Sequence, residues 1–173
     1  MHISNIVALV IVLVIIIVAF ISLVIYHRLS ECSQQLSATR LRLLLELLSE
    51  TCQTVESKLP KNTATPYSEV RHAISIVQFL YTTAGTKMCD IIADTDGSSA
   101  DMLLSGAFLS NMKTEQLMVS QLEASLAIVV KEYPTELAMA TVELKDMGCL
   151  LRRIEQQIAE LRFMSVKNKG LMT

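Results

Sequence analysis

The stretch Leu137-Ala-Met-Ala-Thr-Val-Glu-Leu-Lys-Asp-Met-Gly-Cys-Leu-Leu-Arg-Arg-Ile-Glu-Gln-Gln-Ile-Ala-Glu-Leu161 decides how this chain is read. Its apolar positions Leu137, Ala140, Leu144, Met147, Leu151, Ile154, Ile158 and Leu161 alternate steps of three and four. A helix brings such positions onto one face, whereas a strand would bury every second residue. A 3-4 pattern sustained over several turns is the signature of a helix packed along its length.

The same spacing recurs upstream. Leu41, Leu45, Leu48, Cys52, Val55 and Leu59 form one stripe, and Val70, Ile74, Val77, Tyr81, Ala84, Met88 and Ile91 a second. Val119, Leu122, Leu126, Val129 and Tyr133 form a third, which reaches back past Glu115 to Met112 and Phe108. The punctuation agrees with four helices. Pro60 closes the first, and Thr65-Pro66 reads as a cap followed by proline in the first turn. Asp94-Thr-Asp-Gly-Ser-Ser is a turn, and Ser98 with Asp101 resembles a capping box. Tyr133-Pro134 ends or sharply kinks the third helix and opens the fourth.

Toward the N-terminus the pattern changes. From Ile6 to Tyr26 every residue is apolar except Ser22, with no charge at all. A membrane-crossing helix needs about 20 such residues, so this segment predicts one transmembrane helix in contact with the lipid bilayer. A cleaved signal peptide would need a basic start, a shorter apolar run and a small-residue cleavage site. Met1–Asn5 has no Lys or Arg, and the run ends Leu-Val-Ile-Tyr-His-Arg. Arg28, Arg40 and Arg42 follow the segment closely. The positive-inside rule then leaves the short N-terminus outside the cell membrane and the body cytoplasmic.

The 173 residues hold 15 basic and 17 acidic side chains, all outside the apolar segment. They suffice for one domain beyond that segment. Five Gly and three Pro argue against a collagenous, disordered or all-β chain. A net charge of −2 without a Lys/Arg cluster argues against nucleic acid as a partner.

Few residues suggest chemistry. Asp94-Thr-Asp-Gly97 is similar to a calcium loop, but with Gly97 sixth the first and twelfth positions are Ile92 and Leu103, which supply no carboxylate. Cys32, Cys52, Cys89 and Cys149 have no C-x-x-C spacing. Cys52 sits on an apolar stripe as a small core residue, and Cys32 near the membrane is the cysteine best placed for lipidation. His2, His27 and His72 lack the paired spacing of a bundle metal site. The nine Met residues fit the core, Met112 and Met147 among them, better than a promiscuous groove. Arg152-Arg153 with Glu155 and Glu160 reads as a solvated helix face. Glu115 stands at a core-phase position, either rotated outwards or paired.

Several short runs resemble the LemA family. Tyr26-His-Arg-Leu29 is similar to its Y-N-x-L at the membrane exit, and Glu132-Tyr-Pro134 with Leu137 to its E-x-Y-P-x-L joint. Glu155, Ile158, Ala159 and Arg162 match its E-x-x-I-A-x-x-R run, and Glu50-Thr51 its E-T. Leu43-Leu-Leu-Glu-Leu-Leu-Ser49 stands where the family has D-L-I-P-N-L-V, and Phe163-Met-Ser-Val where it has Tyr-Asn. The resemblance implies a bacterial, membrane-anchored helical bundle without a known enzymatic activity.

The expectation is therefore an all-α chain. A tail (1–5) and a transmembrane helix (6–26) lead into an antiparallel four-helix bundle (27–166), with helices at about 27–59, 66–93, 99–132 and 134–165 and a tail at 167–173. Such a bundle would dock an unknown protein partner and be no enzyme, with no catalytic, cofactor or metal residues assigned. The alternative is a sensory or ligand-binding bundle outside the membrane.

Overall fold

The computed structural model describes the backbone of residues 2–93 and 106–171, and the side chains of 11–26, 28–29, 32–90 and 110–166. The predicted turn at Asp94, its capping pair, the calcium-loop reading and the predicted helix start at 99 lie outside these residues. The side chains of Ile91 and Phe108 do so too. Among the described residues the chain is all-α: α1 (His2–Lys58), α2 (Thr65–Ala93), α3 (Gly106–Glu132), a 3-10 turn (Ala138–Ala140) and α4 (Thr141–Leu171).

Two compact units divide the chain, Met1–Gln35 and Leu36–Thr173, and α1 contributes to both. In the first, every described side chain from Ile11 to Tyr26 is exposed, the large apolar ones by 44% to 67%. Among the described residues no helix is long and apolar enough to cross a membrane. Of the predicted segment these include the side chains of Ile11–Tyr26, sixteen residues, where a span needs about 20.

The second unit buries its stripes in one hydrophobic core drawn from α1, α2, α3 and α4. Leu41, Leu45, Leu48, Cys52 and Val55 line it from α1, and every member of the Leu137–Leu161 stripe is at most 1% exposed. One stripe is corrected by a single position. Leu80 is buried where Tyr81 was expected, and Tyr81 is exposed. Both choices satisfy the 3-4 period, and the phenol favours the position that leaves its hydroxyl wet.

Helix ends follow local chemistry. α1 stops at Lys58, just before Pro60, with the Leu59 N–H still donating to the Val55 carbonyl. The Ala64 carbonyl accepts from both Tyr67 and Ser68, so Ala64 rather than Thr65 holds the cap position and α2 begins at Thr65. Pro66 then sits in the first turn, where no intrahelical donor is lost. The Arg71 guanidinium clasps the preceding loop by donating to the carbonyls of Pro60 and Asn62.

The fourth helix starts later than the predicted 134. After Pro134 the chain passes through a turn and the 3-10 segment, with Leu137 donating to Tyr133 and Ala140 to Leu137. Thr141 Oγ1 donates to the Leu137 carbonyl at 3.0 Å, and α4 begins there. Its far end passes the predicted stop at 165 and takes in the predicted tail as far as Leu171, since Val166-Lys-Asn-Lys169 contains no breaker.

Candidate functional site

α2 and α3 run antiparallel, because Lys87 near the end of one meets Glu115 near the start of the other at 2.6 Å. The same holds for α3 and α4, where Arg152 reaches Glu123 at 2.6 Å and Arg162 donates to Gln116. Toward the opposite end of α2 and α3 from the Lys87–Glu115 pair lies a groove of about 650 Å³. Its floor is apolar and buried, from Val70 and Ala73 of α2 and Leu122, Leu126 and Val129 of α3. Ile76 and Met118 are half-buried at its flanks. The rim is polar and exposed: Glu69 and His72 on one side, Gln121, Ser125 and Glu132 on the other.

The groove was not foreseen as a unit. Its sequence signal is the widening of two stripes: Ile76, Met118 and Ile128 are apolar yet lie off the 3-4 series. Of these, Ile128 is exposed in the rim. Of the three histidines, His72 lies here. His27 and His2 fall outside the described side chains.

Glu115 is paired rather than rotated outwards. It is 7% exposed, accepts from the Lys87 ammonium through Oε1, and has no hydrogen-bond partner for Oε2 among the described residues. Burying a carboxylate is tolerated only with such a partner. Arg152 and Arg153 are exposed as expected, but Arg152 also bridges to Glu123, a partner on another helix that sequence spacing does not reveal.

The cysteines divide by surroundings. Cys32 and Cys149 are exposed, Cys89 is intermediate and Cys52 is buried. Burial pushes the Cys52 thiol from its ordinary 9.0 up to about 12, with the nearby Glu56 charge adding to the shift. Cys52 is thus a small apolar side chain in effect. The hydrogen bond from Lys58 at 2.6 Å holds the Glu143 carboxyl below its ordinary value and ties the end of α1 to the start of α4. Among the described residues, no three His, Cys, Asp or Glu side chains converge to hold a metal ion.

No family model, no characterised protein and no solved structure matches this chain. The groove combines an apolar floor with a polar rim, the common build of a recognition surface.

Proposed function

We propose that this is a non-enzymatic, single-pass membrane protein whose cytoplasmic body, an antiparallel four-helix bundle, docks another protein. The observation that carries the docking role is the α2–α3 groove, whose apolar floor is left unfilled by the described chain. Grooves between two helices with an apolar floor are the usual seats of partner helices. For the bundle, the support is one shared core and ion pairs that join the end of one helix to the start of another.

The anchor rests on the uncharged run Ile6–Tyr26. The apolar surface exposed from Ile11 to Tyr26 is unfavourable in water and favourable in lipid. Arg28, Arg40 and Arg42 keep the body on the cytoplasmic side. The LemA-like runs support the same reading. Glu132, beside Tyr133-Pro134 in the stretch similar to the family's joint, lies on the groove rim, and Leu137 of that stretch is fully buried.

Capture of the full chain from solubilised membranes tests the proposal, with a photo-crosslinker at Ile128 on the groove rim. A defined protein should be enriched, and lost when the groove is plugged by Ser125→Trp. Recovery of nothing above background overturns the docking role, and a purified chain that hydrolyses or transfers a substrate overturns the non-enzymatic reading.

A further inference from the structure

The groove also says what its partner looks like. Glu69 and Glu132 stand across from one another at one end of it, since α2 and α3 run antiparallel from the Lys87–Glu115 pair. Neither carboxylate has an ion-pair partner among the described residues. No lysine or arginine lines the groove. Of the basic residues beside them in sequence, Arg71 is held by the Pro60 and Asn62 carbonyls and Lys131 lies about 100° around α3 from Glu132, while His72 shares the rim one turn from Glu69. The opposite end, at Ile76 and Met118, is uncharged.

Facing carboxylates without a counter-ion leave a local negative potential that a cationic group would relieve. We propose that the groove receives an amphipathic helix of a partner protein, with its apolar face against the accessible Ile76, Met118 and Ile128 of the lining and a Lys or Arg between Glu69 and Glu132. The proposal rests on the docking role above and adds the chemistry of the occupant. From Met118 to Glu132 the wall is about 21 Å long, room for roughly four helical turns. A small apolar ligand fits less well, because half of the lining is exposed and would leave it wet where ligand sites normally enclose it. An anionic membrane surface would be repelled at the acidic end.

A binding titration tests this on the full chain in nanodiscs of uncharged lipid, with binding to empty discs subtracted. The probe is a fluorescein-labelled 16-residue peptide with leucines at 3-4 spacing and two lysines at one end. Its twin carries glutamates in place of the lysines. The lysine peptide should bind about tenfold more tightly than its twin, an effect of two favourable pairs against two repulsive ones. The exposed double change Glu69→Lys, Glu132→Lys should reverse that preference, and Ser125→Trp should weaken both peptides. Equal binding of the twins, no binding of either, or an unreversed preference in the double variant overturns the inference. The docking role itself falls only if the membrane capture recovers no partner, so the two failures are told apart.

Discussion

α1 uses the same kind of side chain in two opposite surroundings. From Ile11 to Tyr26 it exposes every described apolar residue, while from Leu41 to Val55 it buries Leu41, Leu45, Leu48, Cys52 and Val55 in the core of the second unit. Hydrophobicity alone does not separate these regions, but the arrangement of apolar residues around the helix does. The first is apolar all round and uncharged, so no face can be turned to water in preference to another. The second gathers Leu41, Leu45, Leu48, Cys52 and Val55 on one buried stripe and gives Arg40, Arg42 and Glu50 to the surface, together with Leu43 and Leu47. An all-round apolar helix calls for an apolar solvent, and a striped helix calls for other helices.

The largest expected difference between the regions is chemical. Cys32 and Cys52 lie on the same helix, one exposed and one buried. With its thiol raised from 9.0 to about 12, Cys52 has roughly a thousandth of the thiolate of an ordinary cysteine. A thiol-specific reagent at pH 8 should label Cys32 and Cys149 quickly and Cys52 only on unfolding. Labelling of all three at similar rates in the native chain, read by peptide mass, would erase the distinction.

The next contrast is energetic. Leu151→Ala removes a fully buried side chain and should lower the stability of the body by about 3 kcal/mol. Leu23→Ala, at a position 67% exposed, should leave that stability unchanged in chemical denaturation of the chain in detergent. Equal losses would mean that the apolar segment belongs to the body's core.

Ion pairs sharpen the account within the body. Lys87→Met strips the mostly buried Glu115 of its partner and should cost about 1–2 kcal/mol, reduced from a fully buried pair because Lys87 is partly wet. Arg152→Met removes a more exposed, solvent-screened partner from Glu123 and should cost less than Lys87→Met. Reversed ranking in thermal unfolding would contradict the placement of Glu115.

The smallest effect is a pH dependence. Because Lys58 depresses the Glu143 carboxyl in the folded chain, the stabilisation it gives is present above the ordinary value of 4.5 and fades as pH falls through the lower folded value. Glu143→Gln should therefore be slightly less stable than the parent at pH 7, and the gap should close once the pH falls below the lowered folded value. A difference that grows toward acid would carry the wrong sign.

Much of the helical body was legible in the sequence because packing imposes its period on the residues. The Leu137–Leu161 stripe is buried throughout, and Pro60 and Pro134 mark where helices stop. Leu80 and Tyr81 show the limit of periodicity, since either fits the spacing and only the need of a hydroxyl for water chooses between them. The late start of α4 was hidden because Pro134 signals a boundary without fixing how many residues the turn consumes. The groove was less legible still. It depends on how far apart α2 and α3 stand, which no spacing within one helix encodes. Glu115 was visible as an anomaly, but its partner Lys87 lies on a different helix and required the fold.

Alkaline carbonate extraction of membranes from cells producing the full chain tests the central claim most directly. It strips proteins held by charge or by other proteins and leaves those held in lipid. The account predicts that the chain stays in the membrane pellet. Release of the chain into the supernatant would contradict it, and the run from Ile6 to Tyr26 would then have to find its apolar surroundings in protein.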